Sequence, residues 1–222
     1  MWAISLDRSE KDVAVLGGLL TADELLLAAK IVSEEGRSRQ VVSRAGLRVL
    51  LGRYLDASPA ELAFSAGARG KPHLEPASPL RFNLSHSGGL ALIAVAHGIE
   101  VGVDVEEVKP RRDLAGLARR IFAAAERETI ESAPDRERAF YRHWVAKEAF
   151  VKATGRGVAS LRSLEVLLEA PGGARIVHVA GDVEEAGRWT LEPLDAGPGY
   201  TAAAVAEGRA AIGAPTTFDP VA

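Results

Sequence analysis

Two pairs of strand-like segments with the same side-chain pattern recur about half a chain apart. Arg81-Phe-Asn-Leu84 precedes Ala91-Leu-Ile-Ala-Val-Ala-His-Gly98, and Arg188-Trp-Thr-Leu191 precedes Thr201-Ala-Ala-Ala-Val-Ala-Glu-Gly208. The offsets are 107 and 110 residues in a chain of 222. Taken alone, the match fits coincidence between Ala/Val-rich strands as well as duplication. Under duplication the chain folds as a pseudo-dimer, with the seam between its halves as the natural cleft. The expected fold class is therefore α+β: two similar α+β halves, residues 1–105 and 106–222, related by pseudo-two-fold symmetry with the active site at their interface.

Composition removes several function classes. Lys and Arg number 27 against 30 Asp and Glu, a formal net charge of −3, so no global basic field exists to hold nucleic acid. Cysteine is absent, which removes disulfides, thiolate metal sites and cysteine nucleophiles together. The five histidines are far apart, with no pair at zinc spacing. Residues 1–11 lack a basic segment followed by an apolar core, and runs such as Leu90 to Ala96 fall far short of the ~20 residues a bilayer requires. A cytoplasmic protein with neither nucleic acid nor membrane as partner is expected.

Along the chain, Ala3 to Leu6 reads as a strand, and Thr21-Ala-Asp-Glu24 has capping-box spacing ahead of a helix. A second helix is expected over Arg39 to Leu55. Strands are expected at Leu62 to Ser65, Arg81 to His86, Leu90 to Ala96 and Val101 to Val105, with turns at Gly67 to Pro72 and Gly88-Gly89. Short helices follow at Leu114 to Phe122 and Ala124 to Glu131. Pro134 opens a long helix ending at Thr154-Gly155. Four more strands are expected at Leu164 to Glu169, Arg175 to Val179, Trp189 to Pro193 and Tyr200 to Ala206, with a hairpin turn at 171–173. The Ala- and Pro-rich tail from Arg209 is expected to be loose.

Four groups of residues can carry chemistry. In Gly102-Val-Asp-Val-Glu106, strand alternation puts Asp104 and Glu106 on one face while Val101, Val103 and Val105 face a core. Neighbouring carboxylates repel unless a cation joins them, and Mg²⁺ favours one or two carboxylates plus substrate phosphates. A strand with one solvated face explains the same pattern. On the long helix Trp144, Glu148 and Lys152 lie at i, i+4 and i+8 and share one face, with Phe140 extending the stripe. The segment Phe82-Asn-Leu-Ser-His-Ser-Gly88 is a strand running into a polar turn of the kind that cradles phosphate. Lys71, in Gly70-Lys-Pro72, sits on a stiff turn, and Arg39 and Arg44 add cations on the second helix.

In this order, Arg44, Gly-Lys-Pro (70–72), Phe-Asn-x-Ser-His-Ser (82–87), Gly-Val-Asp-x-Glu (102–106) and Trp-x-x-Lys-Glu-Ala-x-x-Lys (144–152), the chain resembles the 4′-phosphopantetheinyl transferases of the surfactin-synthetase-activating type. The resemblance spans roughly residues 35 to 160. It implies two similar α+β halves in a monomer. It also implies transfer of phosphopantetheine from coenzyme A to a serine of an apo acyl or peptidyl carrier protein, giving adenosine 3′,5′-bisphosphate. Asp104, Glu106 and Glu148 would hold Mg²⁺, or Mn²⁺ in its place. Glu148 would be the base for the serine, directly or through water, and Lys152 would stabilise the leaving group. Arg44, Lys71, Pro72, Ser85 and His86, with Arg39 more distantly matched, would bind coenzyme A. A basic patch of Arg111, Arg112, Arg119 and Arg120 would meet the acidic carrier. One departure is Ala123, where family members often carry a serine hydroxyl that caps the following helix. Two alternatives are a coenzyme A-binding protein without transfer and a Mg²⁺-dependent phosphohydrolase acting on coenzyme A with water.

Overall fold

The computed structural model describes residues 1–67, 70–169 and 173–222. Elements run in one order twice. The first series is β1 (Trp2–Ser5), α1 (Glu10–Gly17), α2 (Ala22–Ala29), the long α3 (Glu34–Leu55), a 3-10 turn (Pro59–Glu61), the hairpin β2 (Ala63–Ala66) and β3 (Pro72–Glu75), and the hairpin β4 (Leu80–Ser87) and β5 (Leu90–His97). The second is β6 (Val101–Glu107), α4 (Leu114–Ile121), α5 (Ala124–Ser132), the long α6 (Arg136–Thr154), a 3-10 turn (Val158–Ser163), the hairpin β7 (Leu164–Leu168) and β8 (Ala174–Val179), α7 (Val183–Ala186), and the hairpin β9 (Trp189–Leu194) and β10 (Tyr200–Glu207). Within these two series of the described residues, α7 alone lacks a counterpart. β1 pairs antiparallel with β5 as β6 pairs antiparallel with β10. The repeated strand pattern is therefore the β4–β5 and β9–β10 hairpins, and the fold is α+β with two pseudo-two-fold-related halves. The 105/106 boundary drawn from the sequence falls within β6.

Each half packs its sheet on its own long helix. The first core gathers Ile4, Leu16, Leu47, Leu51, Phe82 and Ile93; the second gathers Val145, Ala149, Phe150, Leu191, Ala203 and Val205. Between the halves lie Leu92 and Ala94 of β5, Val101, Val103 and Val105 of β6, and Ala202 and Ala204 of β10. Each buried valine contributes about 1.5–3 kcal/mol, so the seam is part of the folding core.

Local chemistry sets the boundaries. Ser9, Ser33 and Asp135 each accept a backbone N–H two or three residues inside the helix they cap. Hence α3 starts at Glu34 instead of Arg39, and α6 starts beyond Pro134, which precedes the cap. α1, which Ser9 caps, has no counterpart in the expectations from sequence. α6 ends at Gly155, whose φ of 65° is left-handed and suits glycine. Ala123 cannot cap α5, but Glu126 reaches back to accept its N–H at 2.7 Å. The expected turns at 67–72 and 171–173 lie partly outside the described residues.

The tail is not loose. Thr216–Thr217 form β11, parallel to β1, and Phe218 is buried edge-on against Trp2, at 5.9 Å between ring centroids. Arg53 lies over the Phe218 ring and donates to the Ala222 carbonyl. A segment poor in large apolar residues is held here by one aromatic anchor and a short ladder.

Candidate active site

β4 and β6 face each other across the two halves but belong to separate sheets. Side chains bridge them. Asn83 Oδ1 accepts from the Val103 N–H at 2.9 Å, Ser85 Oγ from Val105 at 3.3 Å and Ser87 Oγ from Glu107 at 3.1 Å. Short polar side chains at every second residue of β4 thus satisfy the free edge of β6, as buried amides require. The two serines also orient the acids: Ser85 Oγ donates to Asp104 Oδ1 at 2.7 Å and Ser87 Oγ to Glu106 Oε2 at 2.8 Å.

Gly102, Asp104 and Glu106 share the β6 face that α6 covers. A Cβ at Gly102 would stand 2.1 Å from the Ala149 carbonyl oxygen and 2.4 Å from the Ala153 nitrogen, both backbone atoms of α6. The glycine therefore lets α6 approach closely, which brings Glu148 and Lys152 over the strand. Lys152 Nζ donates to Asp104 Oδ1 at 2.6 Å and Ser85 Oγ at 2.9 Å. Leu84, Ser85, His86, Asp104, Glu106, Trp144, Glu148 and Lys152 line one cavity of about 290 Å³. The stacking of Phe140 on Trp144, 6.3 Å apart and nearly parallel, continues the helix stripe expected from sequence.

The electrostatics are strained toward negative charge. Burial raises the pKa of Asp104, opposed by the Lys152 ammonium and its hydrogen bonds. Burial followed by the Asp104 charge raises Glu148, and burial followed by the same charge raises Glu106 against the Ser87 hydrogen bond. Partial desolvation and then the nearby Lys152 lower the pKa of His86, a residue that is still exposed at the surface. Asp104 Oδ2 is buried without a partner among the described residues. An orphaned carboxylate oxygen amid two further acids is what a hard cation relieves. Among the described residues no three His, Cys, Asp or Glu side chains stand close enough together to hold a metal ion by themselves. An open arrangement fits Mg²⁺, which keeps waters and takes substrate phosphates as ligands.

The cations read from sequence do not all converge. Lys71 Nζ is held by Glu100 at 2.5 Å and by the carbonyls of Val101 and Ala153 at 3.1 and 2.7 Å, its full complement of three acceptors. It lines a separate cavity of about 560 Å³ at the C-terminal end of α6, with His73, Glu100, Arg156, Trp189 and Glu207. Pro72 begins β3 beside that cavity's Lys71 and His73. Arg44 pairs with Glu24 and stacks over Phe64; Arg39 pairs with Asp7 and Glu35. Arg111, Arg112 and Arg120 line a surface recess together, and Arg111 donates to Tyr141 Oη. Sequence reading missed Asn83 and Ser87 as bridging residues. Their signal was the alternation of Asn83, Ser85 and Ser87.

The 4′-phosphopantetheinyl transferase superfamily profile matches residues 100–205, from β6 through most of β10. The 4′-phosphopantetheinyl transferase HetI of Nostoc sp. is 41% identical over 173 residues, covering 76% of this chain and 73% of that protein. The chain belongs to the 4′-phosphopantetheinyl transferase family. The AcpT transferase of Salmonella typhi is 34% identical over 156 residues, 69% of this chain and 80% of that one. The crystal structure of Thermotoga maritima holo-[acyl-carrier-protein] synthase aligns with a TM-score of 0.40 at 25% identity, over 50% of this chain and 65% of that one. This transferase moves 4′-phosphopantetheine from coenzyme A to an apo carrier protein, in a family that uses a divalent metal. No helix among the described residues is long and apolar enough to cross a membrane.

Glu106→Gln tests the excess charge without removing the partner of Lys152. The metal-free melting temperature is expected to stay level or rise as repulsion is relieved. If Glu106 helps hold a divalent cation, any rise in melting temperature that Mg²⁺ gives the wild type should be absent from Glu106→Gln. A large fall in the metal-free melt, read by circular dichroism, would mark Glu106 as a structural residue instead.

Proposed function

We propose that Asp104, Glu106 and Glu148 hold Mg²⁺, or Mn²⁺ in its place, at the pyrophosphate of coenzyme A. The unpartnered Asp104 Oδ2 beside two acids with raised pKa values carries this reading. The ion would polarise the β-phosphorus and offset charge on the leaving phosphate. Glu148 takes the proton of the carrier serine, directly or through water, from its place on the cavity wall beside Lys152. The serine oxygen then bonds to the β-phosphorus. The bond from that phosphorus to the bridging oxygen breaks, and adenosine 3′,5′-bisphosphate leaves with Lys152 beside its new charge. Ser85 and His86 contact the phosphates, and the nucleotide extends past Lys152 toward the larger cavity walled by Lys71.

The acidic carrier docks on Arg111, Arg112 and Arg120, with Arg119 on the same helix. What supports this is that Arg111, on the recess, carries a charge that bears on Glu106. Within the family we place the chain with the surfactin-synthetase-activating type, acting as a monomer in the cytoplasm. The support is its two complete halves and its run of motifs. Incubation with coenzyme A, Mg²⁺ and an apo carrier should add one phosphopantetheine to the carrier by mass, and chelation of the metal should abolish the gain. No gain across a panel of carriers would overturn the reading.

A sharper test concerns the 3′-phosphate. A hydrogen bond to a charged group contributes about 1.5–3 kcal/mol, or roughly 10- to 150-fold in affinity. Dephospho-coenzyme A should therefore bind at least about tenfold more weakly than coenzyme A. His86→Ala should narrow that gap. Lys71→Ala should weaken both ligands alike, because Lys71 is already saturated by Glu100 and two carbonyls. A narrowed gap in Lys71→Ala would return this lysine to the phosphate site. Equal binding of the two ligands by the wild type would remove the assignment for both residues.

A further inference from the structure

Two buried side-chain polar atoms lack a hydrogen-bond partner among the described residues, Asp104 Oδ2 and Thr201 Oγ1. Their residues lie on the paired strands β10 and β6. In the β6–β10 ladder Asp104 stands opposite Ala203, and Glu106 stands opposite Thr201. Opposed residues of an antiparallel pair put their Cβ atoms about 4.5–5.5 Å apart on the same face, so the Thr201 side chain stands beside that of Glu106. The next residues on that face of β10, Ala203 and Val205, are apolar and packed on α6. A valine would suit position 201 equally well by shape. The hydroxyl is thus buried, in a residue only 6% exposed, and disfavoured in the metal-free protein. Glu106 meanwhile spends Oε2 on Ser87, which leaves Oε1 for another donor.

We propose that Thr201 is a positioning residue of the metal site: with the cation bound, its hydroxyl donates to Glu106 and fixes the orientation of that carboxylate. The inference rests on the assignment of Asp104, Glu106 and Glu148 to the cation. Ligating carboxylates are themselves held by outer hydrogen bonds, and losing one such bond lowers metal affinity about 10- to 100-fold. Ser87 supplies one of these bonds to Glu106, and Thr201 supplies the other from the opposite strand. The rival is water. A cavity of about 170 Å³ that Thr201 helps to line, with Arg138, Arg142 and Asp195, has room and polarity for it. A hydroxyl satisfied by that water would matter to folding and not to metal.

The test is calorimetric titration of Mg²⁺ into the wild type, Thr201→Val, Thr201→Ala and Thr201→Ser, each paired with a metal-free melt. Thr201→Val keeps the shape and removes the unpartnered hydroxyl, so its metal-free melting temperature should hold or rise. Its Mg²⁺ affinity should fall about tenfold or more. Thr201→Ser should keep affinity near that of the wild type, and Thr201→Ala should repeat the loss if the valine variant folds poorly. Wild-type affinity in Thr201→Val and Thr201→Ala overturns the proposal. So does a lower metal-free melt with unchanged affinity, which is the signature of the water. Failure of the wild type itself to bind Mg²⁺ would instead remove the carboxylate assignment beneath it.

Discussion

Gly102→Ala should reduce transfer by at least about a hundredfold while leaving a folded protein. The added methyl meets backbone and not a flexible side chain: the Ala149 carbonyl at 2.1 Å, then the Ala153 nitrogen and Cα at 2.4 and 2.9 Å. A strand and a helix backbone cannot both stay in place. Overpacking of this kind typically costs about 1–3 kcal/mol, within the reserve of an ordinary domain. The catalytic consequence is larger, because α6 must back away by about 1 Å. That displacement carries Glu148 and Lys152 off Asp104, and misplacement on this scale can cost about 10²-fold. Holo-carrier formation and a thermal melt measured together decide it. Near-wild-type turnover in a folded Gly102→Ala variant would show that the close approach of α6 is not needed.

Lys147→Met should lower stability by about 3–5 kcal/mol, the usual loss when one partner of a buried ion pair is removed. Lys147 is fully buried, and the Glu126 side chain is 1% exposed. The ammonium donates to Glu126 at 2.6 Å and to the carbonyls of Ile121 and Leu161, and it lies over the Phe122 ring. Glu126 in turn accepts the N–H groups of Ala123 and Val166. One pair therefore ties α4, α5, the following 3-10 turn and β7 to α6, one residue before Glu148. At about 2–4 °C per kcal/mol for a chain of this size, the melting temperature should fall by roughly 6–20 °C. Lys147→Met combined with Glu126→Leu should recover part of the loss, since no unpaired charge then stays buried. A fall in urea stability below about 1 kcal/mol in Lys147→Met would show that water reaches the pair.

The parts legible in the sequence were those with a local period. Alternation gave Asp104 and Glu106 a common face, and helical spacing gave Trp144, Glu148 and Lys152 theirs. What escaped depends on partners distant along the chain. Asn83, Ser85 and Ser87 read as a polar strand end suited to phosphate, because nothing near them announces the edge of β6. Arg44 and Lys71 read as free cations because Glu24 and Glu100 lie 20 and 29 residues away. The tail read as loose because one phenylalanine among Ala, Pro and Thr carries no periodic signal, whereas Phe218 packs on Trp2 at the far end of the sequence. Gly102 read as part of a motif, but its physical reason is a helix nearly fifty residues downstream.

The docked tail also bears on stoichiometry. β1 is the counterpart of β6, and its outer edge would mirror the edge that β4 bridges. That edge is occupied: Thr216 and Phe218 donate their N–H groups to the carbonyls of Met1 and Ala3. β1, Trp2-Ala-Ile-Ser5, offers no acid, and β9, Trp189-Thr-Leu-Glu-Pro-Leu194, has no run of Asn and Ser at alternate positions. The mirror-related cleft is thus both closed and chemically blank. A backbone with two equivalent halves should therefore saturate at a single equivalent of nucleotide per chain.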